Sequence, residues 1–302
     1  MQIDITAVME QTGNKKKRNS VSFGGQMKSY FLHPGSGILA FLTTLAAVIT
    51  FALLFFLIGY ILVKGIPYLN ADLFSPEYTS ENVSLVPSLI NTFIMTVISL
   101  VIAAPLGIFA AIYLVEYAKK GSKFVNVIRL TAETLSGIPS IVYGLFGMLF
   151  FVTTLKWGMS ILSGAFTMVI MILPLIMRTA EEALKSVPDS YREASFGLGA
   201  GKLRTIFKIV LPSAVPGILA GIILAIGRVV GETAALIYTA GTVAAVPDSL
   251  MGSGRTLALH MYVLSSEGLH MNQASATAVV ILLFVLVINA LSGFVAKRIA
   301  KG

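Results

Sequence analysis

Six long apolar runs, separated by short polar stretches, set the pattern of this chain. They cover about residues 38–63, 89–115, 138–154, 161–177, 214–240 and 276–295. Each approaches or exceeds the roughly 17 residues that a helix needs to cross a bilayer. Lipid offers peptide groups no water, so such runs are expected to be helical. The pattern predicts an all-α, polytopic membrane protein with six transmembrane helices. The third and fourth runs are the shortest, and a tight turn around Lys156-Trp157-Gly158 separates them. Residues 1–34 form a polar tail with the basic run Lys15-Lys16-Lys17-Arg18. The first apolar run is far longer than the roughly 7 to 15 residues of a signal-peptide core, so it reads as an uncleaved span. Three segments result: the tail (1–34), the first span with an outer loop (35–86), and a core of five spans (87–298).

The longest polar passage between the runs is EEALKSVPDSYREASFGLGAGKLRTIFKIVLP, residues 181–212. It predicts two short helices joined by a turn. Pro188 suits a first helical turn, and Asp189 suits the positive end of the helix dipole. Gly197, Gly199 and Gly201 stop that helix, since glycine adopts left-handed caps without strain. The second helix is expected from about Lys202 to Leu211, with an apolar stripe of Ile206, Ile209 and Val210, and Pro212 is expected to end it. The passage carries no nucleophile, phosphate cradle or metal-ligand set. A compact, mixed-charge loop of this kind fits either a docking surface or an amphipathic stretch at the lipid interface.

Composition sharpens this picture. Hydrophobic residues make up 56 % of the chain and charged residues 12 %, about half the share of charge usual in a soluble domain. There is no cysteine, which excludes disulfides and thiol chemistry. The histidines, His33, His260 and His270, lack metal-ligand spacing. The net charge of +8 is explained by topology rather than by nucleic acid. Of 22 Lys and Arg, 18 fall in the tail, the second-to-third loop, the long passage and the C-terminus. Three, Lys64, Lys156 and Arg255, fall on the other side, and Arg228 lies inside a span. Basic residues favour the cytoplasm, so both termini and residues 181–212 are expected there. The outer loops, 65–87 and 241–272, are polar and long enough either to fold over the outer surface or simply to connect.

Arg228 sits near the centre of the fifth run, and Glu232 follows four residues later. On one continuous helix, Gly217, Gly221, Leu224, Arg228, Glu232 and Ala235 share a stripe. A mid-bilayer arginine costs about 2.5 to 3.5 kcal/mol on insertion scales, so it must face protein or water. An Arg228–Glu232 pair that locks packing is one reading; a charged step in a solute path is the other, favoured because intramembrane charge usually serves function. Gly217-x-x-x-Gly221 and Gly227-x-x-x-Gly231 give the same run the small residues that let helices approach closely. Pro105, Pro139, Pro174 and Pro216 lie in or at the ends of runs and favour bends.

Several of these stretches resemble a known family. Glu193-Ala194-Ser195, then Gly199, then Ile209-Val210-Leu211-Pro212 is similar to the EAA loop of ABC-importer permeases, with Ser195 in place of the usual second alanine. Arg228-Val229-Val230-Gly231-Glu232-Thr233-Ala234 resembles the R-x-x-G-E-T segment of phosphate importer permeases. Ser136-Gly137-Ile138-Pro139-Ser140-Ile141-Val142-Tyr143-Gly144 is also similar to them. Leu211-Pro212-Ser213-Ala214-Val215-Pro216-Gly217 looks more like the PstA-type subunit than the PstC type, while Ala235 replaces a proline common in PstA-type chains. The resemblance spans residues 87–298 and implies a type I ABC importer permease fold in a bacterial or archaeal cell membrane. It implies a substrate pathway with Arg228, Glu232 and Thr233, and an ATPase-coupling loop with Arg192, Glu193, Ala194, Ser195, Gly199, Ala200, Leu211 and Pro212. It implies partners as well: a PstC-type permease, a PstB-type ATPase dimer and a PstS-type phosphate-binding protein. ATP and magnesium would be bound by the ATPase, with no cofactor, metal or catalytic residue in this chain. Inorganic phosphate would be the cargo, with molybdate or sulfate as the alternative within the same architecture and a secondary transporter or channel as the alternative class.

Overall fold

A computed structural model describes residues 34–119 and 121–299. Lys15, Lys16, Lys17, Arg18 and Lys28 of the tail, with Lys120 and Lys301, lie outside the described residues. Every regular element among the described residues is helical. The elements are α1 (Pro34–Gly65), α2 (Val86–Ile112), α3 (Lys123–Ser136), α4 (Ser140–Gly147), α5 (Ile161–Lys185), α6 (Asp189–Gly197), α7 (Lys202–Thr205), α8 (Leu211–Gly231), α9 (Ala234–Thr239), α10 (Leu257–Glu267) and α11 (Met271–Ile299). Wide π-type turns over Tyr113–Tyr117, Met148–Thr154 and Ile206–Val210 extend α2, α4 and α7.

The chain divides into two compact units, residues 1–60 and 61–302. In the first unit α1 is apolar on all sides, with Phe41, Phe55 and Leu53 more than half exposed, as a lipid-facing helix requires. In the second unit α5 is the central helix. Its most apolar window is 67 % buried, against 33 % or less for the other spans. α2, α4 and α8 pack around it, and Met95, Met168, Ile172, Val229 and Leu236 form the shared core. Lipid is as apolar as leucine, so burial alone does not join these helices; close fit does. Gly221 shows how: a Cβ there would run into the Thr179 hydroxyl of α5.

Among the described residues, five helices are long and apolar enough to cross a membrane. A sixth span exists only if α3 and α4 are counted as one, and these are bent by 101° at Gly137-Ile138-Pro139. The expected straight third span over 138–154 is therefore half of a broken one. Pro139 has no N–H to continue α3, and it starts α4 instead. The second-to-third loop is also helical, since α3 has an amphipathic face that leaves Phe124, Val127 and Leu130 outward. Between α4 and α5 the expected turn is present, with Lys156 at φ 57° and Gly158 at φ 68°.

Two further expectations are corrected. Pro212 does not end a helix. It stands in the first turn of α8, and the helical path runs on from Lys202 to Gly231. The wide turn before Pro212 loosens the backbone, so the missing donor and the proline ring are absorbed without a break. The fifth span is not continuous over 214–240. Glu232 has extended backbone, φ −74° and ψ 131°, and separates α8 from α9.

The two ends of the second unit differ in charge. One carries Lys123, Arg129, Arg178, Lys185, Arg192, Lys202, Arg204 and Lys208. At the other, residues 241–256 fold back onto the helix starts. Asn91 Nδ2 donates to the Ala245 and Arg255 carbonyls (2.9 and 3.3 Å), and the Ile161 N–H donates to the Gly252 carbonyl (3.0 Å). This loop, polar in sequence, is thus a folded part of the molecule.

Candidate functional site: a broken mid-membrane centre and its docking loop

α5 and α8 run antiparallel, and their close contacts give a depth scale. Gly217 and Gly221 of α8 meet Ala183 and Thr179, and beyond the end of α8 Leu236 of α9 meets Gly164. Arg228 falls between the last two crossings, level with the middle of α5. Arg228 thus lies level with the middle of α5 but at the end of its own helix. Arg228 occupies the last turn of α8, where backbone carbonyls attract a cation. It is half-buried, within electrostatic reach of the Tyr143 phenol, and makes no ion pair among the described residues.

Glu232 does not pair with Arg228, because the helix that would carry both on one face ends at Gly231. Its carboxylate turns the other way and caps α9, where Oε1 accepts from the Ala235 N–H at 3.1 Å. Glu232 is 9 % exposed, and the first turn of α9 supplies the positive dipole end that compensates it. Thr233, half-buried at φ −126° and ψ −53°, makes the corner between the two helices.

The second broken helix meets the first here. α4 packs on α9 so closely that a Cβ on Gly144 would sit 2.7 Å from the Ala235 Cα. Tyr143 on the same helix donates its hydroxyl to the Leu135 carbonyl at 2.6 Å, which ties α4 across the bend to α3. The sequence readings Ser136–Gly144 and Arg228–Ala234 thus converge on one centre. Of the two, only Arg228–Ala234 carries charge that marks it as a site in the sequence. The signal for the first was Gly-Ile-Pro inside an apolar run, since interrupted helices expose backbone dipoles where a membrane protein handles a polar solute.

At the basic end, the 181–212 passage folds largely as expected. Its first five residues extend α5, α6 follows, and Gly199 takes φ 80° in the turn to α7. Ala200 closes that turn by donating its N–H to the Ser195 carbonyl at 3.1 Å. Ser195 Oγ and Thr205 Oγ1 lie 2.8 Å apart and fasten α6 to α7, so the serine in place of alanine has a partner. Leu211 packs into the core below the loop, while Pro212 is exposed.

Arg192 faces inward. Its guanidinium donates to Glu116 Oε1 at 2.8 and 3.1 Å, to the carbonyls of Val187 (2.8 Å) and Leu184 (3.1 Å), and to Asp189 (3.2 Å). Lys202 of α7 lies over the Tyr117 ring at 4.6 Å. Both loop helices therefore grip the wide turn at the end of α2. Arg129 and Lys185 both reach Glu181, at 2.7 and 2.6 Å, and hold α3 to α5 beside it. A cavity of about 580 Å³ opens between them, lined by Glu116, Lys119, Arg129, Lys185 and Glu193.

Glu193 and Ala194 face outward, and so do several apolar side chains that sequence reasoning passed over. Leu198 is 90 % exposed, Leu203 63 % and Tyr191 50 %. A loop that fastens its polar groups inward and shows leucines outward is built to be covered by another protein. Among the described residues no group of three or more His, Asp or Glu is placed to hold a metal ion.

A bundle with an interrupted, charged centre, linked through packed helices to an exposed docking loop, is the membrane-embedded part of a solute permease that works with other subunits. Comparison with known proteins gives the particular family. Residues 103–301 match the family described as the binding-protein-dependent transport system inner membrane component. The chain is 33 % identical over 275 residues to the probable ABC transporter permease protein YqgI of Bacillus subtilis, covering 85 % of this chain and 93 % of that one. It is 35 % identical over 233 residues to the phosphate transport system permease protein PstA of Pasteurella multocida, covering 76 % and 82 %. It is 42 % identical over 154 residues to PstA 1 of Mycobacterium tuberculosis, where it spans about half of each chain. Among solved structures, a bacterial alginate ABC transporter in complex with its periplasmic protein aligns at a TM-score of 0.66 and 16 % identity, covering 92 % and 98 %. That likeness speaks for the fold. The chain belongs to the binding-protein-dependent ABC importer permease family.

Proposed function

We propose that this chain is the PstA-type permease subunit of an ATP-driven inorganic phosphate importer, and forms half of its translocation pathway. The observation that carries the cargo is Arg228, a half-buried guanidinium in the last turn of α8, where two broken helices meet, with no ion pair among the described residues. A guanidinium fork matches a tetrahedral oxyanion with two parallel hydrogen bonds. The relatives described as phosphate permeases support the same reading.

The basic end faces the cytoplasm, as the distribution of Lys and Arg favours, and both termini lie there. A PstC-type permease completes the pathway. Two PstB-type ATPase subunits bind ATP and magnesium and receive the α6–α7 loop. A PstS-type binding protein delivers phosphate from the other side. This chain supplies transport rather than hydrolysis, and needs no cofactor of its own.

Arg228 acts as a transient positive step, with Glu232 and Thr233 holding the corner that places it. Movement of the ATPase reaches this centre through Arg192, Glu116 and α2, which packs along α5. The test is ATP-dependent uptake of labelled phosphate by the complete importer, challenged with excess sulfate and molybdate. The proposal expects competition by neither. Uptake blocked by sulfate or molybdate at concentrations similar to phosphate overturns the cargo.

A further inference from the structure

The strongest unexplained feature lies at the end away from the coupling loop, beside the start of α2. Arg255 is 4 % exposed, its Nε and Nη2 have no hydrogen-bond partner, and no carboxylate lies within ion-pair distance among the described residues. Arginine stays charged in a protein, so this is a buried cation without a counter-charge. Its guanidinium carbon lies 4.8 Å from the centre of the Tyr78 ring. The edge of His260 meets the same ring, with centroids 6.1 Å apart at 90°.

His260 is fully buried, and neither ring nitrogen makes a hydrogen bond of good geometry, with the Val83 backbone beside the ring as its nearest polar neighbour. Burial, and then the nearby Arg255 charge, depress its pKa to about 3, which the Val83 backbone opposes only partly. The ring is therefore neutral and offers one N–H. The hydroxyls of Thr256 and Ser88 are buried without partners as well. Thr256 precedes Leu257, whose N–H donates to Thr92 Oγ1 at 2.8 Å, and Ser88 stands one turn before Thr92 on α2.

An unpartnered buried polar group costs about 1 to 3 kcal/mol, and a lone buried charge costs more. Water can serve a hydroxyl but does not balance a guanidinium. The donors point to an anion. The segment over the site is strained in keeping with that: Val83, buried and β-branched, has φ 47°, and strain of this kind gathers at ligand clamps.

We infer that Arg255, His260, Thr256 and Ser88, covered by Tyr78, form a closed site for a small tetrahedral oxyanion on the outer side of the permease. The naming of phosphate as that oxyanion rests on the function proposed above. The site is separate from Arg228, which lies about half the length of α5 deeper. Its donors are shut away from the surface, which fits a free inorganic ion better than a lipid headgroup with its acyl chains or a carboxylate from a neighbouring subunit. Such a site would receive the anion after delivery and before the mid-membrane step.

The test uses the complete importer purified in detergent, without binding protein or nucleotide. Backbone hydrogen exchange is followed over residues 78–92 and 253–264 in chloride buffer, then with inorganic phosphate, with sulfate, or with phosphatidylglycerol and no phosphate. Phosphate at about ten times its Kd is expected to slow exchange in both segments about tenfold. The slowing should vanish in Arg255→Gln and weaken in His260→Asn, yet persist in Arg228→Gln. No slowing of the wild type by phosphate or sulfate overturns the site without any variant having to fold. Slowing that survives Arg255→Gln, or disappears only in Arg228→Gln, overturns it too. A response to phosphatidylglycerol alone, or protection that depends only on the neighbouring subunits, overturns the assignment to a free oxyanion. Sulfate protection in an importer that fails to carry phosphate keeps the site and removes the cargo.

Discussion

Arg228 and Glu232 stand four residues apart, and the break between them separates their roles. Arg228→Gln keeps polarity and length but loses the charge and the fork. Charge-assisted hydrogen bonds contribute about 1.5 to 3 kcal/mol, so phosphate uptake per assembled complex should fall about 10- to 100-fold. Glu232 behaves differently, because its carboxylate caps α9. Glu232→Gln still accepts from the Ala235 N–H and should transport nearly normally. Glu232→Ala removes the acceptor, costs about 1 kcal/mol at the corner and should lower both assembly and uptake. Equal loss in the Gln and Ala variants would show that charge, not the cap, is what matters. At His260 the depressed pKa has a pH consequence. A ring that is neutral when folded and protonated when unfolded contributes stability above its unfolded pKa near 6.5. That stability declines as pH falls from about 6.5 towards the folded value of about 3. The outer segment, flanked here by Arg255 and Tyr78, should therefore open more readily at pH 5 than at pH 7.5, as read by hydrogen exchange.

At the scale of elements, the loop helices act as a lever held at one point. Arg192 binds Glu116 twice, and the two side chains are only 14 % and 9 % exposed. Removing one partner of a buried pair costs about 3 to 5 kcal/mol, and solvent at this partly open site reduces that. Arg192→Ala should leave the chain inserted but uncouple ATP hydrolysis from uptake. ATP turnover with little transport is the expected result; uptake that remains proportional to turnover would contradict it. Gly199→Val places a β-branched residue at φ 80°, which should cost the turn about 1 to 2 kcal/mol and weaken ATPase retention. Much of this loop was legible in sequence, because glycines and Asp189 mark helix ends locally. The Glu232 break was not, since Gly231 fits a small-residue helix-packing stripe as readily as a helix end and no proline announces it. Nor was the burial of Arg255. Its neighbour Asn91 lies 164 residues away along the chain, and a stretch of Pro, Asp, Ser and Gly reads as an exposed loop.

For the molecule as a whole, the apolar pattern located the spans, because lipid forces every long apolar run into a helix. It could not show that the third span is bent by 101°, since the charged residues of α3 make its half read as a loop beside an apolar run. Orientation rests on charge, and the lack of cysteine makes a clean test. Single cysteines at Ser80 and Ser122 should react with an impermeant reagent from outside and from inside respectively; the reverse pattern would invert the topology. The most direct measurement of the central claim combines cargo, energy source and Arg228. The complete importer is reconstituted in vesicles with its binding protein, and labelled phosphate accumulation is followed with and without ATP. Equal amounts of assembled wild type and Arg228→Gln are compared. Accumulation that requires ATP and falls about 10- to 100-fold in the variant is the expected result. Undiminished phosphate accumulation by a fully assembled Arg228→Gln complex would contradict the account.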